Sequence, residues 1–137
     1  MSFKIGIIVD SFRLPVREGI KKAAELGADG IQVYATRGDM APDALTAKAR
    51  LELLDYIKSN GLVVSALCGD PGGGGFSHPE NNPARLELSK KIINLALDMD
   101  TNVVTTHVGA IPSDKNHDRY KIIYDACAEL GEYADMM

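Results

Sequence analysis

Short apolar runs alternate with longer amphipathic segments along the chain, and the alternation occurs four times. Short runs rich in β-branched residues favour strands, whereas apolar positions three or four residues apart favour helices. The predicted strands are Lys4 to Val9, Ile31 to Ala35, Leu62 to Leu67 and Val103 to Val108. The first run, KIGIIV, is nearly continuous in apolar character, which is typical of a parallel strand covered on both faces.

Capping residues mark the four helical segments between and after these strands. The first predicted helix runs from Pro15 to Gly27, and the second runs from its N-cap Thr46 to Asn60. The third begins with Asn82 as N-cap and Pro83 as its first residue, and the fourth begins near Asp118. Four strand-plus-helix units predict an α/β fold with a parallel sheet and right-handed crossovers. Local pattern leaves two arrangements open, half of a TIM barrel or an open doubly wound sheet.

A TIM barrel needs eight such units and about 250 residues, whereas this chain has four units in 137 residues. Residues 4–35, the segment DYIKSNGLVVSALCGD and the segment DTNVVTTHVG together resemble the N-terminal half of the xylose isomerase-like barrels. The resemblance is to their sugar phosphate isomerase/epimerase members. It implies one (β/α)4 half-barrel domain over residues 1–137, truncated before strand five.

The same resemblance implies a metal-dependent isomerase or epimerase acting on a small carbohydrate. Members of the family hold a divalent metal, Mn, Mg, Zn or Co, with side chains at the ends of strands five to eight. We therefore expect no metal ligand and no cofactor in this chain, and no turnover by this chain alone. A half barrel also predicts a partner, either a second copy in a homodimer or the missing C-terminal half.

Composition narrows the remaining choices. The net charge is −4 and the Lys and Arg residues are scattered, so neither nucleic acid nor an anionic membrane is an expected partner. An abasic-site endonuclease, which shares this barrel, is the third and least favoured function for the same reason. Cys68 and Cys127 lie far apart without a CxxC motif, and the N-terminus is no signal peptide, so we expect inert, partly buried thiols and a cytoplasmic protein. The family resemblance implies a place in carbohydrate metabolism.

Three residues at predicted strand ends are candidates for the site, because barrels of this kind place their active sites at the carboxyl edge. His107, near the end of the fourth strand, is the predicted catalytic and substrate-binding residue; a structural hydrogen bond is its alternative role. Asp10 after the first strand and Tyr34 in the second are predicted to bind substrate. Their alternatives are a capping role for Asp10 and a core position for Tyr34.

The glycine run from Gly72 to Gly75 matches no phosphate-binding spacing, and we interpret it as a mobile lid or a flexible insertion. His78 and His117 lie in polar loops and are expected to be solvated surface residues.

Overall fold

A computed structural model describes residues 3–137. The elements in chain order are β1 Gly6–Ile8, α1 Val16–Glu25, β2 Gly30–Tyr34, α2 Ala47–Ser59, β3 Val63–Cys68, α3 Asn82–Asp98, β4 Val104–Thr105 and α4 Asp118–Met136. The strands form one parallel sheet in the order β1-β2-β3-β4. A doubly wound sheet reverses its strand order at a switch point, and this sheet does not. The predicted half of a TIM barrel is confirmed, and the sheet is not closed.

The core lies between one face of the sheet and the helices. Ile31 and Val33 of β2 alternate with less buried neighbours and are 0% and 2% exposed. They pack in one cluster with apolar side chains of the helices, namely Ile20, Ala23, Leu53, Ile57, Ile92, Leu95 and Ala96. The other face of the sheet stays open, with Ile8, Val63 and Val103 exposed by 42%, 57% and 43%. In a closed barrel this face would surround the axis.

The fourth strand is much shorter than the predicted Val103 to Val108. Only Val104 and Thr105 pair with β3. Beyond them, the carbonyl of Val108 accepts a hydrogen bond from the Phe76 backbone N–H, in the loop after β3. His107 therefore lies in a loop and not in a strand, which corrects its predicted placement.

Helix starts follow the predicted capping residues in α2 and differ by one residue in α3. The Thr46 hydroxyl accepts a hydrogen bond from the Ala49 backbone N–H at the start of α2, as predicted. The N-cap of α3 is Asn81 instead of the predicted Asn82, and its side chain makes no capping bond. The Asn82 side chain is committed elsewhere, because its Nδ2 donates to the Phe76 carbonyl at 3.0 Å. Within residues 3–137, no helix is long and apolar enough to span a bilayer.

Candidate functional site

The carboxyl ends of the four strands bring Asp10, Tyr34, Asp70 and His107 to one edge of the sheet, called here the rim. Asp10 lies in a 3-10 turn directly after β1, and Tyr34 is the last residue of β2. Asp70 follows β3 by two residues and His107 follows β4 by two residues. Parallel strands deliver their following loops to the same edge, which is why residues so distant in sequence meet here.

The Asp10 carboxylate connects the first two strands at the rim. Its Oδ2 accepts a hydrogen bond from the Tyr34 backbone N–H at 2.9 Å. The alternative assignment for Asp10, a carboxylate that satisfies nearby backbone donors, thus has a direct structural basis. Its predicted contact with substrate stays a prediction.

The side chains of Asp70 and His107 contact each other at the rim. Asp70 Oδ2 lies 2.9 Å from His107 Nδ1, and Asp70 Oδ1 accepts a hydrogen bond from the Gly72 backbone N–H at 2.9 Å. The aspartate is largely shielded, with 21% of its side chain exposed, whereas 79% of the histidine side chain is exposed. Asp70 is thus held in place by Gly72, whereas His107 is exposed to solvent.

The charge on Asp70 determines which of the two side chains carries the hydrogen between them. The hydrogen bond from Gly72 holds the pKa of Asp70 below its ordinary value, and His107 and Arg85 lower it further against the opposing effect of burial. Asp70 is therefore ionised at neutral pH and acts only as an acceptor. His107 Nδ1 must then carry the hydrogen, which leaves the lone pair of a neutral imidazole on Nε2, the nitrogen that does not contact Asp70.

Tyr34, the last residue of β2, lies near Asp70 on the open face of the sheet, which is the inner face of a closed barrel. Its pKa is raised above the ordinary value, first by electrostatic interaction with the side chain of Cys68. Burial, Asp70 and Asp10 raise it further. The hydroxyl stays protonated at neutral pH and can donate a hydrogen bond. The guanidinium of Arg37 lies 5.6 Å from the centre of the Tyr34 ring.

The glycine run after β3 packs against the segment that carries His107. Gly72, Gly73, Gly74 and Gly75 all have positive φ, a conformation that other residues rarely adopt. A Cβ at Gly75 would collide with the backbone of residues 107–109. The loop is also anchored by Phe76, which is fully buried, and by Arg85, which donates to the carbonyls of Gly73 and Gly75. Its opening as a lid stays a prediction; in this conformation it is closed onto the rim.

The other histidines and the cysteines differ in their surroundings. His78 is exposed, with Nδ1 3.7 Å from a Glu80 carboxylate oxygen, as a surface residue is expected to be. His117 is exposed too, but it also caps α4, since its Nδ1 accepts from the Arg119 backbone N–H at 3.0 Å. Both cysteines are free; Cys68 is buried, and partial burial raises the pKa of Cys127.

The residues of the rim do not fit a divalent metal centre. Across residues 3–137, no three or more His, Cys, Asp or Glu side chains are grouped so that they could hold an ion. Both carboxylate oxygens of Asp70 are engaged by Gly72 and His107, and one of Asp10 is engaged by Tyr34.

Two residues, Asp70 at the rim and Arg37 beside Tyr34, were not predicted as site residues from the sequence. Asp70 ends the segment LCGD, where it follows a strand just as Asp10 does, and that position was the available signal. Arg37 has no such signal, because its place beside Tyr34 depends on the path of the loop after β2.

Comparison with known proteins relates this chain to one protein family. The profile of the family described as the xylose isomerase-like TIM barrel matches residues 20–136. The chain belongs to this family. Within it, the chain is an N-terminal half-barrel, and it spans about half the length of the solved family structures that it matches.

Several solved structures share the fold of this family member at low identity. The xylose isomerase domain protein from Planctomyces limnophilus has a TM-score of 0.78 at 18% identity, over 98% of this chain and 51% of that one. D-psicose 3-epimerase, determined with D-fructose, has a TM-score of 0.74 at 16% identity, with 98% and 49% covered. A sugar phosphate isomerase/epimerase from Parabacteroides distasonis has a TM-score of 0.67 at 17% identity, over 99% of this chain and 49% of that one. No curated protein sequence gives a significant match.

Proposed function

We propose that the chain supplies the substrate-binding and proton-transfer rim of a sugar isomerase or epimerase, with His107 as the catalytic residue. The observation that carries the proposal is the contact between His107 Nδ1 and Asp70 Oδ2 at 2.9 Å, with Asp70 itself held by Gly72. A carboxylate that orients an imidazole and leaves its second nitrogen exposed is a common arrangement for a general base.

The chemistry follows from the tautomer. Nε2 of neutral His107 takes the proton from a carbon next to the sugar carbonyl, and the C–H bonding electrons move to give an enediolate. The resulting imidazolium is stabilised by the Asp70 carboxylate, to which it still donates through Nδ1. Delivery of the proton to the former carbonyl carbon, with transfer of the remaining hydroxyl proton between the two enediolate oxygens, completes an isomerisation. An epimerisation instead needs a second acid on the opposite face of the sugar, which in this proposal belongs to the other half of the barrel.

Asp10 and Tyr34 bind the substrate in this proposal. The Tyr34 hydroxyl, kept protonated by its surroundings, donates to a sugar oxygen, and the free oxygen of Asp10 accepts from a sugar hydroxyl. The names of the structural neighbours, an epimerase and a sugar phosphate isomerase/epimerase, support a small carbohydrate as the substrate. Two free cysteines support a reducing cytoplasm. The names of the structural neighbours support a place in carbohydrate metabolism.

Residues 1–137 alone bind a sugar without turning it over in this proposal, because the chain spans half of its relatives. NMR titration of the chain with D-fructose, read on backbone amides, tests the binding. We expect shifts at residues 10, 34, 70 and 107, and a three- to tenfold weaker affinity in His107→Gln, the cost of about one hydrogen bond. His78→Gln is the matched control, since His78 is exposed but lies outside the rim.

Two results contradict the proposal. Equal binding by His107→Gln and by the unchanged chain removes His107 from the site. Interconversion of D-fructose by residues 1–137 in D2O, detected as deuterium on carbon, removes the requirement for a second half. A barrel extended through strands five to eight is expected to turn over its sugar and to lose at least about 100-fold in rate with His107→Gln.

A second candidate function is a non-catalytic half barrel that associates with a copy of itself. The observation in its favour is the open inner face, where Ile8, Val63 and Val103 are exposed. The edges of β1 and β4 also lack a neighbouring strand in the sheet formed by residues 3–137. Sedimentation equilibrium distinguishes the cases: a dimer that Val63→Glu dissociates supports self-association, and a monomer at high concentration excludes it.

A further inference from the structure

A cleft opens at the rim between the loops that follow β2 and β3. It has a volume of about 290 Å³. Its lining consists of Tyr34, Thr36, Arg37, Asp70, Pro71, Gly72 and Leu88. Asp70 and Tyr34 thus belong both to this cleft and to the surroundings of His107. Asp70 connects the two, because it lines the cleft and its Oδ2 lies 2.9 Å from His107 Nδ1.

Arg37 differs from the arginines whose polar groups are already engaged. Arg50 pairs with Asp98 at 2.7 Å, and Arg85 donates to the carbonyls of the glycine loop. The side chain of Arg37 is exposed, and no carboxylate forms an ion pair with it in the described part of the chain. Its one specific contact is the face of the Tyr34 ring.

We propose that Arg37 determines substrate specificity by binding an oxyanion, a phosphate or a carboxylate, carried by the sugar that His107 acts on. The inference rests on the proposed function and narrows it to anionic sugars. A guanidinium presents paired N–H donors that match the oxygens of either group. Stacking on Tyr34 restricts the side chain before the ligand arrives, so less rotamer freedom is lost on binding.

The charges around the cleft are consistent with this role. Asp10 and Asp70 place two carboxylates at the same rim, and they would repel an anionic sugar that no cation received. Arg37 lines the same cleft as Asp70 and brings a positive charge to it. The anion then lies over the β2 loop, and the polyhydroxy part of the sugar lies toward His107.

The test compares three probes on residues 1–137 by NMR titration: D-fructose 6-phosphate, D-glucuronate and neutral D-fructose. We expect one or both anionic probes to bind at least about tenfold more tightly than D-fructose, and Arg37→Gln to remove that preference while D-fructose binds as before. The phosphate and carboxylate probes distinguish the source of the oxyanion. The matched control is Arg17→Gln, because Arg17 also stacks on a tyrosine, Tyr56, at 4.8 Å, but lies outside the cleft.

The outcomes separate this inference from the proposed function. Equal affinity for all three probes, or an equal loss in Arg37→Gln and Arg17→Gln, overturns the role of Arg37. A loss of D-fructose binding in Arg37→Gln shows a general structural role and overturns it as well. If Arg37→Gln removes the anion preference while His107→Gln changes nothing, Arg37 is confirmed as the anion site and the proposed role of His107 is wrong.

Discussion

Replacement of Asp70 by Asn is the sharpest perturbation of the rim, because it removes one charge and keeps the shape of the side chain. The Asn carbonyl still accepts from Gly72, but its amide N–H groups can only donate to His107 Nδ1. The imidazole is then driven to the other tautomer, with its hydrogen on Nε2. The substitution should therefore remove the general base without removing the histidine.

The expected loss of stability follows from the two hydrogen bonds. A bond to a charged group contributes about 1.5–3 kcal/mol and a neutral one about 0.5–1.5 kcal/mol, so the Gly72 contact weakens by about 1 kcal/mol. The His107 side chain is 79% exposed, so its pairing with Asp70 contributes at most about 1 kcal/mol. We expect Asp70→Asn to lower the free energy of unfolding by about 1–2 kcal/mol at pH 7.

The pH dependence has a defined sign. The pKa of Asp70 is lower in the folded chain than in the unfolded chain, so its carboxylate stabilises the fold at neutral pH. The difference in free energy of unfolding between the unchanged chain and Asp70→Asn has its full size above the ordinary Asp pKa of about 3.9. It shrinks as the pH falls below that value and vanishes below the lowered pKa of the folded state.

Urea unfolding followed by circular dichroism at a series of pH values measures this difference, and 15N spectra of the His107 ring report the tautomer. Asp39→Asn is the control, since Asp39 is an exposed carboxylate in the loop after β2. The reasoning is refuted if both variants lose the same stability, if the difference persists at the acid end, or if the His107 tautomer is unchanged.

Three further changes test the scaffold around the rim by urea unfolding. Phe76→Ala should cost about 3–5 kcal/mol, because the ring is fully buried under the glycine loop; a loss below 1 kcal/mol would contradict that packing. Gly75→Ala should cost more than Gly72→Ala, since only the former has backbone atoms in the path of its Cβ; equal losses would indicate an effect of positive φ alone. Asp10→Ala should lower the free energy of unfolding by about 1–2 kcal/mol, because the Tyr34 backbone N–H loses the Asp10 carboxylate as its acceptor. Hydrogen exchange of the Tyr34 amide should become faster, and an unchanged exchange rate would exclude that bond.

The predictions from sequence were most accurate where burial determines the pattern. The β2 run from Ile31 was predicted within one residue at each end, because its alternate side chains must be withdrawn from water whatever surrounds the strand. Thr46 was predicted as an N-cap for a similarly local reason, since its hydroxyl reaches an N–H three residues away.

The predictions failed where a distant segment decides the outcome. The run from Val103 to Val108 has the composition of a strand, yet only Val104 and Thr105 pair with β3, and the Val108 carbonyl accepts instead from Phe76 in the loop before α3. The partner of His107 was missed for the same reason. Asp70 is 37 residues away in the chain, and nothing local to either residue indicates their contact.

The amino-acid sequence by itself determined the four strand-plus-helix units, the family resemblance and the rim positions of Asp10, Tyr34 and His107, because hydrophobic period, capping and order along the chain are local properties. Only the tertiary structure decided that Asp70 orients His107, that Arg37 stacks on Tyr34 beside a cleft, and that the glycine run closes onto the rim. These contacts join loops that the parallel sheet brings together from separate units, and their distances depend on the register of the strands, which no local pattern contains.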